Sequence, residues 1–170
     1  MNSCLFLCKW LECIVSSPRI SNLKHLSLAR NCLTHEGCQA IANSPHLSNL
    51  KSLDLNLNRI GDEGIRFLAN STNVRNLTEL AVTENNLTEQ ACKIIAGSVH
   101  FVNLTKINLQ DYSIARRDAL NILLHATNLP NMTHIEILDK EPHHHCEKDH
   151  DSEEDDDEES NDDYSCSEQR

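Results

Sequence analysis

The apolar positions of this chain switch repeatedly between two periods. In "LKSLDLNLNRIGDEGIRFLANS", Leu50 to Ser71, Leu53 and Leu55 alternate as in a strand, and Ile65, Leu68 and Ala69 then follow at helical spacing. Sliding the sequence against itself by 27 residues repeats the pattern. Leu23, Leu50, Leu77 and Leu104 coincide, with Met132 following after one extra residue. So do Leu26, Leu53, Leu80 and Ile107, and Leu28, Leu55, Val82 and Leu109. The helical columns agree as well: Leu11, Cys38, Ile65, Cys92 and Ala119; Ile14, Ile41, Leu68, Ile95 and Ile122; Val15, Ala42, Ala69, Ala96 and Leu123.

A strand and helix this short cannot bury an apolar side alone. Stacked copies can, because neighbouring strands pair in parallel and each helix closes the core behind them. Asn31, Asn58 and Asn85 recur where the chain leaves the strand, followed two residues later by Leu33, Ile60 and Leu87. Their amides are expected to satisfy backbone groups left unpaired by the bend, as a ladder from coil to coil. Tyr112 stands in the fourth Asn position, so the ladder is expected to end there. Thr34, Asp62 and Thr88 are placed to cap the helices, with Glu36, Glu63 and Glu89 just inside.

The unit L-x-x-L-x-L-x-x-N-x-[LI] resembles the leucine-rich repeat of the strand-plus-helix kind found in ribonuclease inhibitor. "LDLNLNRIGDEGIRFLANS" and "LSLARNCLTHEGCQAIANS" are similar to repeats of NOD-like receptors and Ran GTPase-activating proteins. The resemblance implies an α/β fold: a short right-handed solenoid with parallel strands on a concave face, helices on the convex face and about four and a half repeats. The expected organisation is a capping helix or half repeat at 1–22, with Leu5–Val15 helical. Repeats follow at 23–49, 50–76, 77–103 and 104–131, then a last strand at 132–138 and an acidic His-containing tail at 139–170.

Charge divides along the same boundary. Residues 1–138 hold 12 Lys/Arg and 11 Asp/Glu, a net +1, and residues 139–170 hold 3 and 15, a net −12. A nearly neutral repeat region argues against direct nucleic-acid binding. No apolar run reaches the ~20 residues of a membrane span, and no membrane association is expected. Lys9 and Glu12 interrupt the apolar N-terminus, which speaks against a signal peptide. The eight cysteines include no Cys-x-x-Cys pair. Cys38 and Cys92 fall in an apolar column, the place of a buried free thiol. The expected setting is reducing and intracellular: cytoplasm, nucleus, or a host cell's cytoplasm after export.

Between the leucines, strand side chains face outward and form the candidate protein-binding surface. These are His25, Ser27 and Arg30; Ser52, Asp54, Asn56 and Leu57; Glu79, Thr83 and Glu84; Lys106, Asn108, Gln110 and Asp111; and His134 and Glu136. Neither a His25–Ser27–Asp54 triad nor a metal or glycosidase-like set of Asp54, Glu79 and Glu84 suits a shallow, solvated surface. Four glycines leave little room for a phosphate-cradling loop. No enzymatic activity and no cofactor are expected. Sequons begin at Asn70, Asn76, Asn86, Asn103 and Asn131, and for Asn76, Asn103 and Asn131 the repeat column itself accounts for the Asn.

The tail lacks the apolar residues needed for a core and is expected to remain a solvated polyanion. His143, His144, His145, Cys146 and His150 supply weak metal-ligand candidates. The acids suit a basic partner. The functional expectation is therefore a monomeric, non-enzymatic interaction module that binds another protein. Regulation of a small GTPase or signalling protein, or acidic-tail chaperoning of basic proteins, are the alternatives.

Overall fold

The computed structural model describes residues 3–111 and 113–137, with side chains from residue 9 onward. Five strands alternate with helices: α1 (Ser3–Val15), β1 (His25–Ser27), α2 (His35–Asn43), β2 (Ser52–Asp54), α3 (Gly61–Ala69), β3 (Glu79–Ala81), α4 (Glu89–Gly97), β4 (Lys106–Asn108), α5 (Arg116–Leu124) and β5 (His134–Glu136). The strands form one open parallel sheet in sequence order. Leu26 pairs with Leu53, Leu53 with Leu80, Leu80 with Ile107 and Ile107 with Ile135. The last pairing absorbs the extra residue of the "NLPNM" connection without shifting the apolar column.

The core lies between sheet and helices. Leu53, Leu80 and Ile107 from the strands meet Cys38, Ile41, Ile65, Leu68, Cys92 and Ile95 from the helices, all buried. Each such side chain contributes about 1.5–3 kcal/mol when fully removed from water. Three-residue strands and nine-residue helices persist only because adjacent coils supply this burial. α1 packs on α2 and covers one end of the core with Leu11 and Val15. The end strands are less enclosed: Leu26 and Ile135 are only half-buried.

Three polar spines tie coil to coil. Beyond the strands, Asn58 Oδ1 accepts from Asn31 N (3.1 Å) and Leu33 N (2.8 Å), and its Nδ2 donates to Leu28 O and Leu55 O. Asn85 Nδ2 likewise donates to Leu55 O at 2.9 Å. At the helix ends, the hydroxyls of buried Ser44, Ser71 and Ser98 donate to Val15, Ala42 and Ala69 carbonyls of the preceding coil, at 2.5, 2.5 and 2.7 Å. Before the strands, Asn49, Asn76, Asn103 and Asn131 each donate Nδ2 to a preceding-coil carbonyl. Among the described residues no buried side-chain polar atom lacks a partner.

Two local expectations change. α3 begins at Gly61, whose φ of +60° suits glycine, so Asp62 lies inside the helix instead of capping it. The Asp62 carboxylate accepts from Thr88 N (2.9 Å) and Thr88 Oγ1 (2.6 Å) of the next coil. Thr88 does cap α4, accepting from Gln90 N, whereas the Thr34 hydroxyl bonds to the Glu36 carboxylate.

Candidate functional site

The open sheet face is built from side chains between the core leucines, alternating outward because strand residues point to opposite faces. In-register pairing sets them in rows across the coils. His25, Ser52, Glu79, Lys106 and His134 form one row; Ser27, Asp54, Ala81, Asn108 and Glu136 form the next. Hydrogen bonds between coils hold several of these groups. Ser27 Oγ donates to Asp54 Oδ2 at 2.9 Å, and Asp54 Oδ1 accepts from Asn56 N at 3.0 Å. Asn56 Oδ1 accepts from Thr83 N, and Thr83 Oγ1 donates to Asn108 Oδ1, both at 2.7 Å. Asn108 Nδ2 then donates to Glu136 Oε2 at 3.0 Å, and Lys106 Nζ pairs with Glu79 Oε1 at 3.1 Å.

Arg30, Leu57 and Glu84, the exposed residues at the strand-exit rim, adopt left-handed backbone conformations with φ of 63°, 57° and 53°. Such a conformation costs a residue with a Cβ about 1–2 kcal/mol. Neighbouring coils hold it in place: Arg30 N donates to Asn56 O, Leu57 N to Thr83 O and Glu84 N to Gln110 O, at 2.7–2.9 Å. Leu57 presents 37% of its surface. The rim thus displays a cation, an apolar group and an anion in adjacent coils.

Asp111 departs from the expected face. It is buried, and its Oδ2 accepts from Asn85 N (2.9 Å) and Leu87 N (2.8 Å), the equivalents of the backbone positions that Asn58 serves two coils earlier. The ladder continues through an aspartate one residue before Tyr112 instead of ending. His25, Ser27, Lys106, His134 and Glu136 are exposed; Ser52, Asp54, Asn56, Glu79, Thr83, Asn108 and Gln110 are half-buried. The serine spine and the structural use of Asn49, Asn76, Asn103 and Asn131 were missed by sequence reasoning, although both recur at the repeat spacing.

The carboxylates of Asp54 and Glu79 are directed to Ser27 and Lys106. Among the described residues no group of three or more His, Cys, Asp or Glu side chains could hold a metal ion. The candidates His143, His144, His145, Cys146 and His150 lie outside the described residues, as do Leu138 and Tyr112. Elsewhere, burial, with Glu89 and Asp62 nearby, pushes the Cys92 thiol up to about 11, leaving it protonated and unreactive at neutral pH. The Thr34 hydroxyl holds Glu36 below the usual carboxylate range, and Glu89 holds Lys93 above the usual lysine range.

A sequence model of the leucine rich repeat matches residues 20–42 and 46–69, covering the first two strands and the helices that follow them. Residues 20–69 are thus similar to leucine-rich repeats, and the later coils repeat the same strand-plus-helix unit. The match falls on consecutive coils of the same parallel sheet. No curated protein matches the chain. No helix among the described residues is long and apolar enough to cross a membrane.

Proposed function

We propose that these leucine-rich repeats form a ribonuclease-inhibitor-like solenoid whose open strand face binds a folded protein. The supporting observation is preorganisation. Ser27, Asp54, Asn56, Thr83 and Asn108 are fixed by bonds between coils, and Arg30, Leu57 and Glu84 are held outward by the turn ladder. Groups already held in place lose little conformational entropy when a partner arrives. A shallow, polar array with mixed charge suits shape and charge complementarity to another protein, and repeat solenoids generally use such faces for binding. With only five strands, the interface falls near or below the ~800 Å² per partner of a standard complex. Moderate, reversible binding follows.

Site-specific photocrosslinking in cell extract tests the assignment. A benzophenone side chain at Ser52 or Lys106, on the strands, is expected to give discrete protein adducts. The same probe at Arg66 or Lys93, on the helices, should not. Adducts arising from the helix positions alone would move the binding surface to the opposite layer.

A further inference from the structure

The connections from each helix to the next strand gather along one edge of the sheet, because all five strands are parallel and in register. Residues 16–24, 44–51, 70–78, 98–105 and 125–133 make up this edge and contain no Asp or Glu. The 11 acids of residues 1–138 all lie elsewhere. Four cations stand along its first three coils: Arg19, Lys24, Lys51 and Arg75, all exposed. Lys24 and Lys51 occupy the same position in adjacent coils, with Lys51 N bonded to Lys24 O at 2.8 Å. Two lysine side chains thus leave backbones about 5 Å apart. Towards the other end of the edge the cations give way to Val99 and Val102, and to Leu124 at the end of α5 that leads into it, with 67%, 40% and 69% of their surfaces exposed. They are three of the five large apolar side chains that are exposed among the described residues.

We propose that this edge docks on an anionic lipid surface. Cations on segments that carry no acids suit a negative headgroup layer, and protruding aliphatic side chains suit the boundary between headgroups and hydrocarbon. The groups are spread over successive coils and do not converge on a pocket. A fluid lipid surface can meet them by rearranging, whereas an acidic protein would need anions fixed at matching spacings. Nucleic acid would use the four cations but leave Val99 and Leu124 without a role. Near an anionic surface each Lys or Arg strengthens binding about fivefold, so four cations produce a real but reversible association. Segregation of charge by the fold is the reason that a net +1 over residues 1–138 conceals this surface.

Cosedimentation of the full chain with lipid vesicles decides the matter. Binding is expected to vesicles of mixed phosphatidylserine and phosphatidylcholine, and not to phosphatidylcholine alone. K24E/K51E should weaken it at least about 25-fold, from the loss of two favourable charges. V99D/L124D should weaken it by a comparable factor. R59E, which alters an exposed cation at the opposite edge, should leave it unchanged, with circular dichroism confirming that every variant is folded. Absence of vesicle binding, or binding indifferent to both double variants, overturns the proposal. So does equally tight binding of a double-stranded oligonucleotide that V99D/L124D does not affect, because cations alone would then explain the edge. Photocrosslinking from the strand face remains an independent measurement, so failure of one proposal leaves the other standing.

Discussion

Asp111 performs with a carboxylate what Asn58 performs with an amide: it accepts two backbone N–H groups at the bend of the preceding coil. Asp111→Ala would leave both donors buried and unpaired, and is expected to cost about 1–3 kcal/mol in urea unfolding. Asp111→Asn preserves the acceptor and adds a donor of the kind that Asn58 directs to Leu55 O. It is expected to stay within about 0.5 kcal/mol of the original chain. Equal losses in the two variants would show that these contacts contribute little. The sequence makes Tyr112 the natural heir to the Asn column, since it stands 27 residues after Asn85. The observed register is 26 residues, because the fourth turn presents its acceptor one position early. A periodic count cannot reveal such a slip, which depends on the path of the backbone between strand and helix.

Helices in adjacent coils pack closely enough for identical substitutions to have opposite effects. A Cβ on Gly64 of α3 would lie 2.8 Å from Ile60 Cβ and 3.1 Å from Cys38 Sγ. A Cβ on Gly97, the last residue of α4, would meet nothing within 4 Å. Gly97→Ala is therefore expected to stabilise the protein by about 0.5–1 kcal/mol through reduced backbone freedom in the unfolded chain. Gly64→Ala gains the same term but must displace Ile60 or the backbone, and is expected to destabilise by about 1–3 kcal/mol. Thermal unfolding of the two variants measures both signs; stabilisation by Gly64→Ala would show that α2 and α3 have slack between them. At this scale the sequence indicates which faces of the helices are apolar. It does not indicate how close the neighbouring helix comes, since that distance follows from the stacking of entire coils.

Across the whole molecule each coil is supported by its neighbours, so stability should be graded along the sheet. Leu53, Leu80 and Ile107 are buried in the interior strands, whereas Leu26 and Ile135 are half-buried in the end strands. Native-state hydrogen exchange is expected to be slowest in β2 and β3 and fastest in β1 and β5, as nearest-neighbour stabilisation requires. Uniform protection from β1 to β5 would instead show that the coils open only together. The same stacking sorts function by direction: the strand face carries fixed polar groups, while one loop edge carries cations and apolar side chains without acids.

The sequence by itself determined the repeat, its strand-plus-helix unit and the apolar columns of the core, because burial in a stacked array imposes one spacing on many positions at once. It also determined the rows of side chains on the open face, which follow from strand alternation. Tertiary structure decided the burial of Asp111, the coil-to-coil roles of Asp62 and Ser71, the left-handed turn at Leu57 and the acid-free edge around Lys24 and Lys51. Each of these depends on which atoms lie opposite one another in neighbouring coils, and that is set by backbone path and separation, to which residue type and periodicity are only partial guides.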